Sequence, residues 1–192
     1  MRAVAILCCA ALAACGSNEP SAPTVAEKEA AQIAAVKTLA GWDRVFASPL
    51  ETVGQINQAG FGLPDYSSSR SGGAYLAQGV DRLMSRSAAP SPNMGSASVS
   101  GSAPDRLDQI SFVLKLNDAE DAATARDRFA SVVGDFFRNA KLSGGDPVLA
   151  AIRGGQSAQP DVSGLKANVT ATANRIDVTF LRPAASAAPA NS

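Results

Sequence analysis

The sequence predicts an α+β domain, with a small antiparallel sheet of about three strands, a C-terminal hairpin, and helices packed on one face. Three observations lead there. Residues 110–116 alternate between apolar and polar at the period of a strand. Residues 125–140 place apolar side chains at helical spacing over four turns. Residues 167–180 fit one hairpin register that gathers their apolar side chains on a single face.

The chain opens Met1-Arg2 and then runs apolar from Ala3 to Cys15. A positive start, a short apolar run and small residues at its end make a secretory signal, residues 1–14. The run is shorter than the roughly 20 residues a membrane span needs. A buried N-terminal helix is the alternative, disfavoured by the polar, linker-like residues that follow at once. Gly16 to Pro23, "GSNEPSAP", reads as a tether. Eight extended residues reach roughly 27 Å. With Cys15 it makes a segment 15–23, leaving a single domain at 24–182 and a disordered tail at 183–192.

Thr24 and Glu27 in "TVAE" form a capping box for the first helix. Ile33, Val36 and Ala40 supply its thin apolar stripe, and Gly41 is its stop. "SPLE" starts a second helix, with Ser48 as cap, Pro49 at the first position and Glu51 closing the box. Leu50, Val53 and Ile56 form its apolar side, and it ends near Gly60. Trp42, Val45 and Phe46 plug the seam between helices and sheet. "AYLAQGVDRLMSR" suits a strand or a short helix, and Gly79 weakens both. In Ser85 to Arg106, 16 of 22 residues are Ser, Ala, Gly or Pro. Such composition offers little apolar surface to offset ordering entropy, so 85–106 is expected to be a flexible insertion.

"QISFVLKL" puts Ile110, Phe112, Leu114 and Leu116 on one face and Ser111, Val113 and Lys115 on the other. Asn117 with Glu120 is a capping box for a long helix carrying Ala125, Phe129, Val132, Val133, Phe136 and Ala140. Gly144-Gly145 stop it. "DPVLAAIR" is a short helix capped by Asp146 with Pro147 next. A turn at Ala173-Asn174 pairs Ala171 with Ile176, Val169 with Val178 and Ala167 with Phe180. Trp42, Phe46, Phe112, Phe129, Phe136, Phe137 and Phe180 are the expected large core residues.

Leu12-Ala13-Ala14-Cys15 resembles the lipobox of bacterial lipoprotein precursors. The resemblance implies that Leu12, Ala13 and Ala14 are read by the signal peptidase. It also implies that diacylglycerol is joined to the Cys15 thiol, that cleavage falls between Ala14 and Cys15, and that the new amine is acylated (palmitate). Each buried methylene contributes about 0.8 kcal/mol, so two or three chains make a stable anchor. In enteric-type sorting, Asp directly after the lipidated cysteine marks inner-membrane retention. Gly16 stands there, which points to the periplasmic face of the outer membrane.

Composition excludes several chemistries. Cys8 and Cys9 leave with the signal and Cys15 is consumed by lipid, so no thiol remains for a disulfide. The chain has no histidine, which removes Ser-His-Asp and Cys-His nucleophile systems and a histidine acid or base. No metal site and no cofactor are expected, apart from the covalent lipid. The 17 basic residues balance 17 acidic ones. A near-neutral chain lacks the footprint of a nucleic-acid binder.

Ser163-Gly164-Leu165-Lys166 matches S-x-x-K, but it enters a strand, and the companion Ser-Asp-Asn and Lys-Thr-Gly motifs are missing. Asp118, Glu120 and Asp121 suit a helix N-terminus better than calcium. The glycine pairs 72–73, 144–145 and 154–155 lack a P-loop order. Arg70, Arg82, Arg86 and Arg106 surround the unreadable middle and are the candidate binding residues, set against plain solvated charge.

These readings converge on a non-enzymatic cell-envelope lipoprotein. Its periplasmic domain would bind another envelope component, a protein or peptidoglycan, through a sheet face, a sheet edge or the 85–106 loop. The order of strand 109–116 and helix 118–141 resembles that of sporulation-related peptidoglycan-binding domains, without their glycine and aromatic signature. A glycan-binding module is therefore the alternative, and a hydrolase built on two carboxylates a further one.

Overall fold

The structure, a computed structural model, describes residues 24–69, 72–86 and 89–183. The expected signal, lipobox and tether, with Cys15, lie outside the described residues. So do Arg70 and the tail from 184.

Three helices come first: α1 (Val25–Thr38), α2 (Gly41–Ala47) and α3 (Pro49–Gln58). Five strands follow: β1 (Ser67–Ser68), β2 (Tyr75–Gln78), β3 (Arg82–Leu83), β4 (Met94–Gly101) and β5 (Gln109–Lys115). Two helices, α4 (Ala122–Asn139) and α5 (Asp146–Gly154), lead to β6 (Asp161–Val162), β7 (Leu165–Thr172) and β8 (Arg175–Leu181). The strands form one antiparallel sheet of eight in the order β1-β2-β4-β5-β8-β7-β6, with β3 also on β4.

The expected sheet of about three strands is therefore too small. The missing strands lie mostly between residues 67 and 101. Residues 94–101, expected to belong to a flexible insertion, are β4 and pair along their length with β5. Their composition hides a period of two. Gly95, Ala97, Val99 and Gly101 are buried, while Ser96, Ser98 and Ser100 are half-buried on the other face. Small side chains suffice because the neighbours supply the bulk: Ala97 lies opposite Phe112, and the Met84 side chain covers Gly95. Gly79 separates β2 from β3, and its amide donates to the Ala97 carbonyl at 2.9 Å.

Helix starts divide into kept and lost caps. At Thr24 both halves of the capping box are present. Ser48 makes no capping bond; its hydroxyl is buried without a partner among the described residues, and Glu51 instead pairs with Arg44 at 2.9 Å. The box expected at Asn117 is also absent, since α4 begins only at Ala122. Fully buried Asn93 holds the main chain there: its amide donates to the Asp118 carbonyl and its carbonyl accepts from the Asp118 amide, both at 2.9 Å. Gly145, not Asp146, is the N-cap of α5. Gly41 is not the stop of α1, which ends at Thr38 with Leu39 as its cap. At φ +57° it turns the chain directly into α2, which carries buried Trp42, Val45 and Phe46.

All seven expected large core residues are buried, joined by Phe61. The Trp42 ring stacks on Phe46 and Phe180, and Phe112 lies between Phe61 and Phe136. The C-terminal hairpin has the expected register, with Ala171, Val169 and Ala167 opposite Ile176, Val178 and Phe180.

Candidate functional site

The register brings one polar surface together. On the face away from the aromatic core, Gln78, Ser98, Ser111, Thr179 and Asn168 lie opposite one another across β2, β4, β5, β8 and β7. The next row toward one end holds Ser96, Val113, Asp177 and Thr170, and toward the other Leu76, Ser100, Gln109 and Leu181. At a strand spacing near 4.8 Å the row of five spans roughly 19 Å. Its side chains are short, and no aromatic ring stands in it. Gln109 donates to the Ser111 hydroxyl at 2.7 Å.

Charge sits at the ends. At one end the Lys115 ammonium meets Asp81 at 2.6 Å, and Arg175 grips Asp177 through two bonds of 2.7 Å. Lys115 holds the Asp81 carboxyl below its ordinary value, and Asp177 holds Arg175 above its own. At the other end Asp108 accepts from the Ser102 hydroxyl and amide, at 2.7 and 2.8 Å. These bonds lower its pKa, helped by Arg106 and Arg182 at 3.5 and 3.4 Å.

The edges of the sheet are short. β2 and β3 both pair with β4, and β1 pairs with β2. Across the sheet, β6 pairs with the start of β7, and Ala158 bridges to Val169. Only two-residue strands lie outermost, which blunts edge-to-edge pairing. The face, not an edge, is the broad surface left to a partner.

A mostly apolar groove of about 910 Å³ lies where the end of α1 meets α2 and α3. Val36, Leu39 and Leu50 line it, with Arg44, Arg106 and Arg182 at its polar margin. Leu50, expected on the apolar side of its helix, is 82% exposed here.

The structure does not gather the candidate arginines. Arg82 pairs opposite Gly95, near one end of β4, and is exposed. Arg106 follows the other end of β4, half-buried against Asp108. Gly101 is six residue steps along the strand from Gly95, roughly 20 Å. Arg86 is exposed beside the start of α4.

Ser163 and Lys166 do not form a catalytic pair. Ser163 has φ +48°, and its hydroxyl is held by the main chain of Ser143 at 2.9 and 3.0 Å. Lys166 points from the exposed side of β7. Hydrogen bonds lower the carboxyl pKa of Glu27, Asp81 and Asp108, whereas a glycosidase acid needs a raised value. Among the described residues no cluster of three acids suits a metal, and no helix is long and apolar enough to cross a membrane. No protein-family model matches the chain, and no curated protein or solved structure shows significant similarity to it.

Sequence reasoning missed this surface because it discounted β4. The alternation of serine with Gly, Ala and Val across 95–101 was the available signal.

Proposed function

We propose that this chain is a non-enzymatic lipoprotein of the bacterial cell envelope, acylated at Cys15 and held at the periplasmic face of the outer membrane. Its domain binds another envelope component through the open face of the sheet. The observation that carries the reading is a polar row five strands wide across one face, in a sheet whose outermost strands are only two residues long. The lipobox sequence supplies the address, and the absence of histidine narrows the room for catalysis.

Glycan binding is the second reading. Ser, Thr, Asn and Gln side chains offer the donors and acceptors that a hydroxylated polymer takes. The lack of a ring in the central row favours a protein partner.

The test is crosslinking in cells from a photoreactive residue replacing Ser98 or Thr179, in the full-length lipidated chain. A discrete protein adduct that survives digestion of the sacculus supports the first reading. Retention on intact sacculi without an adduct selects the second. Neither outcome, with the chain absent from the membrane fraction, removes both.

A further inference from the structure

A second cleft, of about 450 Å³, lies on the helix side of the molecule. Met84, Ser85 and Arg86, which follow β3, line it together with Asp121, Thr124 and Arg128 at the start of α4.

Three independent features make it receptive to an anion. First, α4 runs for 18 residues and has no side-chain cap at Asp121. The amides of a first helical turn lack partners inside the helix and carry its positive end. Second, Ser85 is 1% exposed and its hydroxyl has no hydrogen-bond partner among the described residues. A buried hydroxyl left in this state is costly, and an acceptor in the cleft relieves it. Third, Arg86 and Arg128 are exposed and take part in none of the ion pairs among the described residues. Their guanidinium forks match a planar oxyanion.

Asp121 decides which anion. With one aspartate against two arginines, the lining carries a single net positive charge. A phosphate monoester, at about −1.5 to −2 near neutral pH, exceeds that. A carboxylate matches it. We propose that this cleft binds the carboxylate of a small ligand or of a free peptide C-terminus, with Arg86 and Arg128 pairing its oxygens and Ser85 donating to them. The inference stands apart from the sheet-face reading and needs neither the anchor nor the envelope partner.

The test is a titration of the full-length chain in detergent micelles, followed by NMR at the amides of Ala123 and Thr124. The probes are N-acetylalanine, its uncharged amide N-acetylalaninamide, and inorganic phosphate. Saturable shifts with N-acetylalanine alone are expected. Ser85→Ala and Arg128→Gln should each raise its Kd roughly ten-fold or more. Arg128 sits on an exposed helix face, so that variant keeps the fold, which the hairpin amide shifts report. No saturation, equal shifts with N-acetylalaninamide, tighter binding of phosphate, or unchanged Kd in both variants would overturn the proposal.

Discussion

The indole of Trp42, in the second helix, stacks on the ring of Phe180, in the last strand, with centroids 4.7 Å apart. Its Nε1 donates to the Val162 carbonyl at 2.6 Å. One side chain thus joins the N-terminal helices to the C-terminal hairpin and to β6. Trp42→Ala should destabilise the domain by about 3–5 kcal/mol. Trp42→Phe, which keeps a ring but loses the indole donor, should cost less. Denaturant unfolding followed by circular dichroism checks both. As the only tryptophan, Trp42 should also report wild-type unfolding by fluorescence, at the same midpoint.

The two serine and threonine helix starts should respond differently to alanine. Thr24→Ala removes a complete capping box and should cost α1 about 1 kcal/mol. That loss should show as faster hydrogen exchange within α1. Ser48→Ala removes a buried hydroxyl that bonds nothing, so global stability should stay within about 0.5 kcal/mol or rise. A loss of 1 kcal/mol or more at Ser48 would mean that its hydroxyl caps after all.

Tyr66 donates to the carbonyls of Ala103 and Arg106, at 3.1 and 2.9 Å, and burial pushes its pKa up to about 12. The folded state disfavours the phenolate, so this contribution is full below pH 10 and is lost as pH rises from 10 through 12. Tyr66→Phe should cost about 1–2 kcal/mol at neutral pH and flatten that alkaline loss. Gly101 stands against the same hydroxyl and against the Arg106 carbonyl, with no room for a Cβ. Gly101→Ala should therefore cost about 1–3 kcal/mol by overpacking. Urea midpoints at pH 7, 10 and 11.5 separate the two effects.

Acid should weaken the fold through two carboxylates. The bond from Lys115 lowers the pKa of Asp81, and the bond from Ser102 lowers that of Asp108. A depressed pKa stabilises the fold above the unfolded value, near 4. That stability disappears as pH falls through the folded value. Both side chains are more than one-third exposed, so solvent screening limits each to about 1 kcal/mol or less. Asp81→Asn and Asp108→Asn should each lower stability slightly at pH 6 and reduce its fall between pH 5 and 3. An unchanged acid limb in the double variant would show that other carboxylates dominate.

Local patterns were legible wherever neighbouring residues alone dictate structure. The hairpin register followed from one agreement between pairing and polarity at Val169–Val178 and Ala167–Phe180. The aromatic core followed from helical and strand periods. Capping boxes were less readable: Thr24, Ser48 and Asn117 present similar sequences, yet only Thr24 makes the bonds. Arg44 takes Glu51 away from one, and Asn93 holds the chain out of helix at another.

The sequence by itself determined the balance of charge, the lack of histidine, the apolar run that ends at Cys15, and the main helices with the last hairpin. Each rests on composition or on periods within a dozen residues. Tertiary structure decided that serine-rich 94–101 is a central strand, because its burial comes from Phe112 and Met84 rather than from its own side chains. It also decided that Arg86 meets Arg128 and Ser85 at one cleft while Arg82 and Arg106 stand apart. Long-range pairing sets those neighbours, and no local spacing encodes them.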